Sequence, residues 1–310
     1  MTENAKAFSP AGISSFFEIC DRTANGKPIV DLERVGARGG GFGLIKGVLT
    51  EVSVSESKQS SIQVLISGKS FPEAETTKTV VMNILEKLDK KYTVTVNHHV
   101  EIPIGTGFGS SAAGALGTAF ALSDALGLHF TYNQLGRIAH VAEVKCRTGL
   151  GTVGPLLLGG CIITVEPGAP GYAVIDRIQI TADHWIVAGV FEPWLTKEVL
   201  ASPEKRKRVN EWGRKTVEAI LAEPSLENFL KASKEFAVET GLATERVKKL
   251  IASAEKAGAI GAAQNMVGEA VHALTTPENV NSVLQVFKKV LPNEKVLSGK
   301  VDLQGVRLLR

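Results

Sequence analysis

Apolar and polar residues alternate along three stretches in the first third of the chain. This pattern predicts strands at residues 44–54, 61–67 and 92–102, because successive strand side chains point to opposite faces. Residues 74–91 carry apolar side chains at intervals of three and four, which predicts a helix before the third strand. A further helix is predicted at 132–147, with Thr131 as its N-cap.

The pattern changes in the second half of the chain. Short apolar strands recur between residues 160 and 190, and helical spacing then dominates at 203–222, 226–239, 244–256 and 277–290. Two short strands follow at the end of the sequence. We therefore expect an α+β fold with two lobes, residues 1–185 and residues 186–310.

A glycine-rich stretch, PIGTGFGSSAA at residues 103–113, lies between the third strand and an Ala-rich helix that is predicted to run to about Leu126. Glycines at alternate positions allow a sharp turn and a close approach to a ligand. A helix that begins directly after such a turn offers unpaired N–H groups to an anion, most often a phosphate. The expected anion site consists of Pro103, Gly105, Gly107, Phe108, Gly109, Ser110, Ser111 and Ala112.

Composition and charge narrow the class of protein. Of the 310 residues, 22% are charged and 44% are hydrophobic, and the net charge is only +3, too small to indicate a nucleic-acid partner. The basic run at 205–208 is interpreted as a solvated helix face. Three scattered cysteines, no hydrophobic signal segment and no membrane-length apolar run favour a reduced, cytoplasmic protein without a membrane partner.

The stretch at 103–113 resembles the P-x-x-x-G-x-G-S-S-A signature of the GHMP kinases, and differs only in Phe108, where Leu is usual. It fits neither the Walker A loop nor the dinucleotide fingerprint. The resemblance implies an N-terminal lobe like ribosomal protein S5 domain 2 and a ferredoxin-like C-terminal lobe. It also implies ATP and Mg²⁺ as cofactors, with the loop around the ATP phosphates and Ser111 as a magnesium ligand.

Further strings make the chain most similar to the archaeal pantoate kinases, a GHMP branch that phosphorylates the primary hydroxyl of pantoate to 4-phosphopantoate on the route to coenzyme A. These strings are FSPA at 8–11, FFE at 16–18 and GARGGGF at 36–42. The resemblance makes Ser14 and Ser15 candidates to face the substrate, although turn hydroxyls that cap local backbone are an equally weighted alternative. Arg38, expected in a flexible glycine loop, is the candidate partner of the pantoate carboxylate. Its alternative role is that of a solvated loop cation.

The expected catalytic chemistry also involves Glu143 and Thr152, which both follow the glycine-rich loop in the sequence. The family places an acidic residue on the following helix against the nucleotide magnesium, and Glu143 matches that position; the alternative is a surface ion pair with Arg147. Thr152 stands where many family members have the Asp that is proposed to take the hydroxyl proton. Because a threonine hydroxyl is not a general base at its normal pKa, the identity of the base stays open.

Pantoate and ATP are therefore the expected small-molecule partners, and a homodimer is a further expectation. Within the family, homoserine and mevalonate are the alternative acceptors. Outside it, the alternative is a non-catalytic nucleotide-binding or RNA-binding module, because the fold expected for the first lobe also occurs in ribosomal proteins.

Overall fold

The computed structural model describes residues 2–192 and 202–310. Two long antiparallel strands, β1 (Thr2–Cys20) and β2 (Gly36–Glu56), form its spine. Strand β1 continues past Pro10, where its pairing with β2 shifts register. The glycine segment expected as a loop is also strand, because it pairs with β1 along residues 36–43. The expectation of a flexible glycine loop is therefore wrong.

The first sheet has the order β12-β1-β2-β5-β3-β4, and β6 and β7 extend it from β2. Strands β3 and β5 are parallel, and the other pairs are antiparallel. The bounds of its remaining strands are Ser61–Ile66 (β3), Lys69–Ser70 (β4), Tyr92–Val100 (β5), Cys161–Glu166 (β6), Val174–Ile178 (β7) and Arg307–Leu309 (β12).

Helix α2 is the centre of the first lobe and packs on β1 and β2. Twelve of its residues are buried, so it lacks the polar face of a surface helix. Gly117 lets the helix approach the sheet, since a Cβ there would lie 2.3 Å from Thr50 Oγ1. The helices of this lobe are Glu75–Leu85 (α1), Ser110–Ala125 (α2), Tyr132–Cys146 (α3) and Val153–Leu158 (α4).

The second sheet has four antiparallel strands in the order β11-β8-β10-β9. Their bounds are Trp185–Glu192 (β8), Gly261–Gln264 (β9), Glu269–Thr275 (β10) and Val296–Lys300 (β11). The helices of this part are Pro203–Ala222 (α5), Leu226–Glu239 (α6), Glu245–Lys256 (α7) and Val280–Val290 (α8), and a 3₁₀ turn spans Asn293–Lys295.

The two lobes are joined by a common core and by the end of the chain. Phe229 of α6 packs edge-on against Phe16 and Phe42 of the first sheet, at centroid distances of 5.8 and 5.2 Å. Strand β12 returns to pair with β1, so the last residues belong to the first sheet and not to the second. The two-lobed α+β fold is confirmed, whereas the boundary at 185/186 stays a prediction. Within the described ranges, no helix combines the length and the apolar character needed to cross a bilayer.

Candidate active site

The glycine-rich loop has the geometry of a phosphate-binding turn. Gly105, Gly107 and Gly109 have φ values of +75°, +82° and +64°, a region in which other residues are strained. The side chain of Phe108 is 1% exposed, and its carbonyl accepts a hydrogen bond from Gly12 N at 3.0 Å. The loop is thus anchored in the core and on β1, with its glycine backbone at the surface.

Helix α2 begins directly after this loop, with Gly109 as its N-cap and no side chain capping the first turn. The first N–H groups of a helix have no intrahelical acceptor, and they carry the positive end of its dipole. In α2 these groups belong to Ser110, Ser111 and Ala112. An anion placed there gains hydrogen bonds that the chain itself leaves unmade.

Glu143 on α3 faces the start of α2. Its side chain is 3% exposed, and its Oε1 accepts hydrogen bonds from Ser111 Oγ at 2.5 Å and from Thr148 Oγ1 at 2.6 Å. Burial raises the pKa of this carboxyl above its ordinary value, while the two hydroxyl bonds oppose the rise. The alternative surface pair with Arg147 is wrong, because Glu143 is buried and no ion pair joins the two residues.

Glu143 differs from the other nearly buried acids of the described ranges. Glu18, Glu269 and Asp302 are each 3–6% exposed at the side chain and each has an arginine partner. Glu143 has hydroxyl partners only. A buried carboxylate without a cation is costly unless a ligand supplies the charge.

The donor set around Glu143 fits Mg²⁺, which prefers carboxylate and hydroxyl oxygens. Glu143 and Ser111 lie together there, and the described residues contain no cluster of three or more His, Cys, Asp or Glu side chains. This small set suits a magnesium ion that takes its other ligands from nucleotide phosphates and water.

Two cavities lie on either side of Thr148. The small cavity, about 340 Å³, is lined by Ser110 and Ser111 together with residues of α1. The large cavity, about 740 Å³, lies between β1, β2 and the segment after α3. Thr148 lines both cavities and hydrogen-bonds to Glu143, so the candidate magnesium site lies next to the residue that the two cavities share.

The two candidate serines of β1 are placed differently. Ser14 lines the large cavity, and its carbonyl accepts a hydrogen bond from Met266 N at 2.7 Å. Ser15 is fully buried, and its hydroxyl lies 3.0 Å from His272 Nε2. The expectation that Ser15 faces a ligand is therefore wrong, because its neighbour on the strand occupies the cavity face and Ser15 occupies the core face.

Arg38 lines the large cavity, but it lies in strand β2 and its guanidinium already has partners. Its Nη1 donates to Glu18 Oε2 at 3.1 Å, and its Nη2 donates to Glu166 Oε2 at 3.4 Å. Glu18 also pairs with Arg214 of α5. The expected free guanidinium is thus a member of a four-residue ion cluster, and its role as the carboxylate partner stays a prediction.

Thr152 lies at the N-terminus of α4, against the phosphate loop and β1. A Cβ at Gly109 or at Gly12 would lie 2.7 or 2.9 Å from its Cγ2. The position expected for a base is thus inside the large cavity, but the side chain there is a methyl and a hydroxyl packed against two glycines.

Sequence reasoning missed several cavity residues. Thr148 holds Glu143, and its signal in the sequence is its place directly after the helix that carries Glu143. Arg206, interpreted as part of a solvated run, instead pairs with Asp21 at the cavity wall. The interpretation of the run as a solvated helix face holds for Lys205, Lys207 and Arg208, which are exposed, and fails only for Arg206, because β1 packs against α5.

Comparison with known proteins adds sequence evidence to this geometry. Residues 76–160 match the family model described as GHMP kinases N terminal domain. The chain is 32% identical over 287 residues to the pantoate kinase of Thermococcus kodakarensis, which covers 91% of each chain. It is 29% identical over 281 residues to the pantoate kinase of Methanocaldococcus jannaschii, over 91% of this chain and 96% of that relative.

Solved structures agree with the fold. A protein described as a phosphotransferase related to the CoA biosynthesis pathway superposes with a TM-score of 0.87 at 28% identity, over 99% of both chains. A homoserine kinase from Cytophaga hutchinsonii superposes with a TM-score of 0.70 at 18% identity, over 99% of this chain and 98% of that one. The second likeness shows the shared fold alone.

Proposed function

Because this chain belongs to the GHMP kinase family, we propose that it is a pantoate kinase, which transfers the γ-phosphate of ATP to the primary hydroxyl of pantoate. Full-length relatives named pantoate kinase support this acceptor, and the relative named for the CoA pathway agrees with it. The product would be 4-phosphopantoate, an intermediate on the way to coenzyme A. The observation that carries the proposal is Glu143 of α3, a buried carboxylate without a cation that is bonded to Ser111 at the start of α2.

The nucleotide phosphates bind at the glycine-rich loop and at the first N–H groups of α2. Ser111 and Glu143 would hold Mg²⁺, which neutralises charge on the β- and γ-phosphates. Thr148 fixes the Glu143 carboxylate by a hydrogen bond, so that its oxygens keep one orientation toward the loop.

The acceptor lies in the large cavity, whose wall carries Ser14 and Thr152. Ser14 is proposed to hold the acceptor by its hydroxyl, since β1 presents that side chain to the cavity. Phosphoryl transfer through a loose transition state depends chiefly on alignment and on charge neutralisation. Thr152 is therefore proposed to shape the cavity beside the loop, with no role as a base.

The test is ADP release by the purified chain with ATP and Mg²⁺, measured across a panel of pantoate, homoserine and mevalonate. Pantoate is expected to give the highest kcat/KM, with one phosphate ester formed per ADP by phosphorus NMR. A preference for homoserine or mevalonate would replace the acceptor and keep the kinase. If none of the three acceptors supports ADP release, or if the chain binds ATP without turnover, the proposal is overturned.

The homodimer and the lack of nucleic-acid and membrane partners also remain predictions. Light scattering of the purified protein at several concentrations measures the mass in solution directly. A mass twice that of the 310-residue chain would support the dimer.

A further inference from the structure

Three arginines line the large cavity, Arg38, Arg147 and Arg206. Two of them have carboxylate partners, since Arg38 pairs with Glu18 and Glu166 and Arg206 pairs with Asp21. Arg147 forms no ion pair and no side-chain hydrogen bond with any residue in the ranges 2–192 and 202–310. Arg147, an exposed residue, is thus the one cavity-lining arginine that has no carboxylate partner in the described chain.

The backbone of Arg147 has an unusual conformation. It is the C-cap of α3, with φ +57° and ψ +36°, a left-handed conformation that glycine or asparagine commonly adopts. An ordinary L residue is strained in this conformation, because its Cβ lies too close to the following carbonyl oxygen. The next residue, Thr148, bonds to Glu143, which fixes the start of the segment that carries Arg147 along the cavity. An arginine therefore stands, at a cost, where a glycine would end the helix more easily.

The position of Arg147 favours the acceptor over the nucleotide. The phosphate-loop serines line the small cavity, and Arg147 does not line that cavity. It lines only the large cavity, as Ser14 and Thr152 do. The loop N–H groups and the Glu143 site already serve phosphate, whereas the acceptor end has no other unpaired cation in the described ranges.

We propose that Arg147 binds the carboxylate of the acceptor and thereby selects a hydroxy acid. A guanidinium presents two parallel N–H donors that match both oxygens of a carboxylate. Holding the acid end fixes the direction in which the primary hydroxyl points, so the contact also aligns the acceptor for transfer. This inference rests on the proposed function, and it gives Arg147 the role that sequence reasoning gave to Arg38.

The primary test compares Arg147→Gly with the unmodified chain. Glycine tolerates the left-handed backbone, so the fold is expected to survive and the substitution removes only the side chain. The KM for pantoate is expected to rise about 10- to 100-fold, because hydrogen bonds to charged groups are worth about 1.5–3 kcal/mol. The KM for ATP should change by less than about twofold. The pantoate KM of Arg147→Lys should lie between those of Arg147→Gly and the unmodified chain, since lysine keeps the charge and loses the two parallel N–H donors.

A neutral acceptor separates a carboxylate contact from a phosphate contact. The amide of pantoate keeps the primary hydroxyl and lacks the charge, so Arg147→Gly should change its kcat/KM much less than that of pantoate. Lys145→Ala is the matched control, because it removes a charge two residues away that does not line the cavity. That control should leave both acceptors unaffected.

Each outcome separates the inference from the function on which it rests. An unmodified chain that does not phosphorylate pantoate refutes the proposed function, whatever the variants do. An active unmodified chain whose Arg147→Gly variant keeps its pantoate KM refutes the inference alone. Equal losses of kcat with pantoate and with its amide would assign Arg147 to the transferred phosphate and also overturn it. A large KM effect at Arg38 with none at Arg147 would return the carboxylate to Arg38.

Discussion

Glu18 and Glu143 are both almost fully buried, but the chain treats their charges in opposite ways. Glu18 is 5% exposed and lies between two arginines, Arg38 at 3.1 Å and Arg214 at 3.1 Å. Glu143 is 3% exposed and has only the hydroxyls of Ser111 and Thr148. A buried charge that the chain itself compensates needs no ligand, whereas an uncompensated one is a candidate for completion by a ligand. The comparison thus distinguishes a carboxylate paired within the structure from the proposed magnesium ligand.

The largest effect is expected for Glu143→Gln. The amide keeps an oxygen for the two hydroxyl bonds but loses the charge that a hard cation requires. We expect turnover to fall at least about 100-fold, roughly 2.7 kcal/mol in the barrier. Turnover against magnesium concentration measures this loss. In parallel, magnesium with ATP should raise the melting temperature of the unmodified chain and not that of the variant. Near-normal turnover would place Glu143 among the structural carboxylates.

The raised pKa of Glu143 predicts how the stability of the folded protein depends on pH. Its folded pKa lies above the ordinary value of 4.5, so the folded protein holds this proton more tightly than the unfolded chain does. The free energy of unfolding without ligands therefore falls as pH rises from about 4.5 through the raised pKa. Glu143→Gln lacks this loss and should be at least as stable at pH 7, with the difference closing below pH 4.5. Melting temperatures at pH 4 to 7 test this, and a difference independent of pH would contradict it.

The same substitution at Glu18 should have the opposite profile. Glu18→Gln leaves Arg38 and Arg214 without their shared anion, and we expect a loss of about 1–3 kcal/mol in the free energy of unfolding. Turnover should fall by less than about fivefold, less than 1 kcal/mol in the barrier, because Glu18 contacts neither loop nor magnesium site. Urea unfolding and steady-state kinetics check both parts. A variant that is stable but inactive would remove the distinction between the two carboxylates.

For Ser111→Ala, which keeps Glu143 and removes one of its two hydroxyl partners, we expect a smaller loss of turnover than for Glu143→Gln. Turnover should fall roughly tenfold, because a contact to a charged group is worth about 1.5–3 kcal/mol. Ser110→Ala is the matched control at the preceding position, since the Ser110 side chain makes no bond to Glu143. Equal effects of the two substitutions would mean that the helix terminus matters and the hydroxyl does not.

The smallest effect is expected for Thr152→Val. Valine keeps the methyl that packs against Gly12 and Gly109 and removes the hydroxyl. General bases contribute about 10²- to 10⁴-fold. We therefore expect turnover to stay within about threefold, and an unchanged pH profile. A 100-fold loss would show that the hydroxyl takes part in proton transfer.

Sequence patterns predicted the elements whose periodicity is local. The phosphate loop, helix α2 and helices α5 and α6 lie where glycine spacing, caps and apolar intervals place them. Glu143 was also identified, although its distinction depends on burial without a cation, which no local pattern encodes.

Sequence reasoning failed where partners come from distant parts of the chain. The segment 36–43 is rich in glycine and was expected to be a loop, yet it is strand because β1 pairs with it so closely that a Cβ at Gly41 would lie 1.8 Å from Ile13 O. Strand β9 consists largely of small residues, and no strand was predicted at β9 or β10; β10 forms by pairing with β8, and β9 by pairing with β10. Glu166, a partner of Arg38, lies 128 residues away along the chain, and His272, the partner of Ser15, lies 257 residues away. No periodic pattern extends over such separations.

The aromatic contacts across the lobes bear on how the cavity forms. Phe16 lines the large cavity and also packs on Phe229 and Phe236 of α6, with centroids 5.8 and 6.3 Å apart. The wall of the cavity is thus part of the common core, and such close-packed contacts do not deform gradually. An acceptor bound in this cavity would meet a wall that is ordered before it arrives, so binding would require little free energy to order this wall.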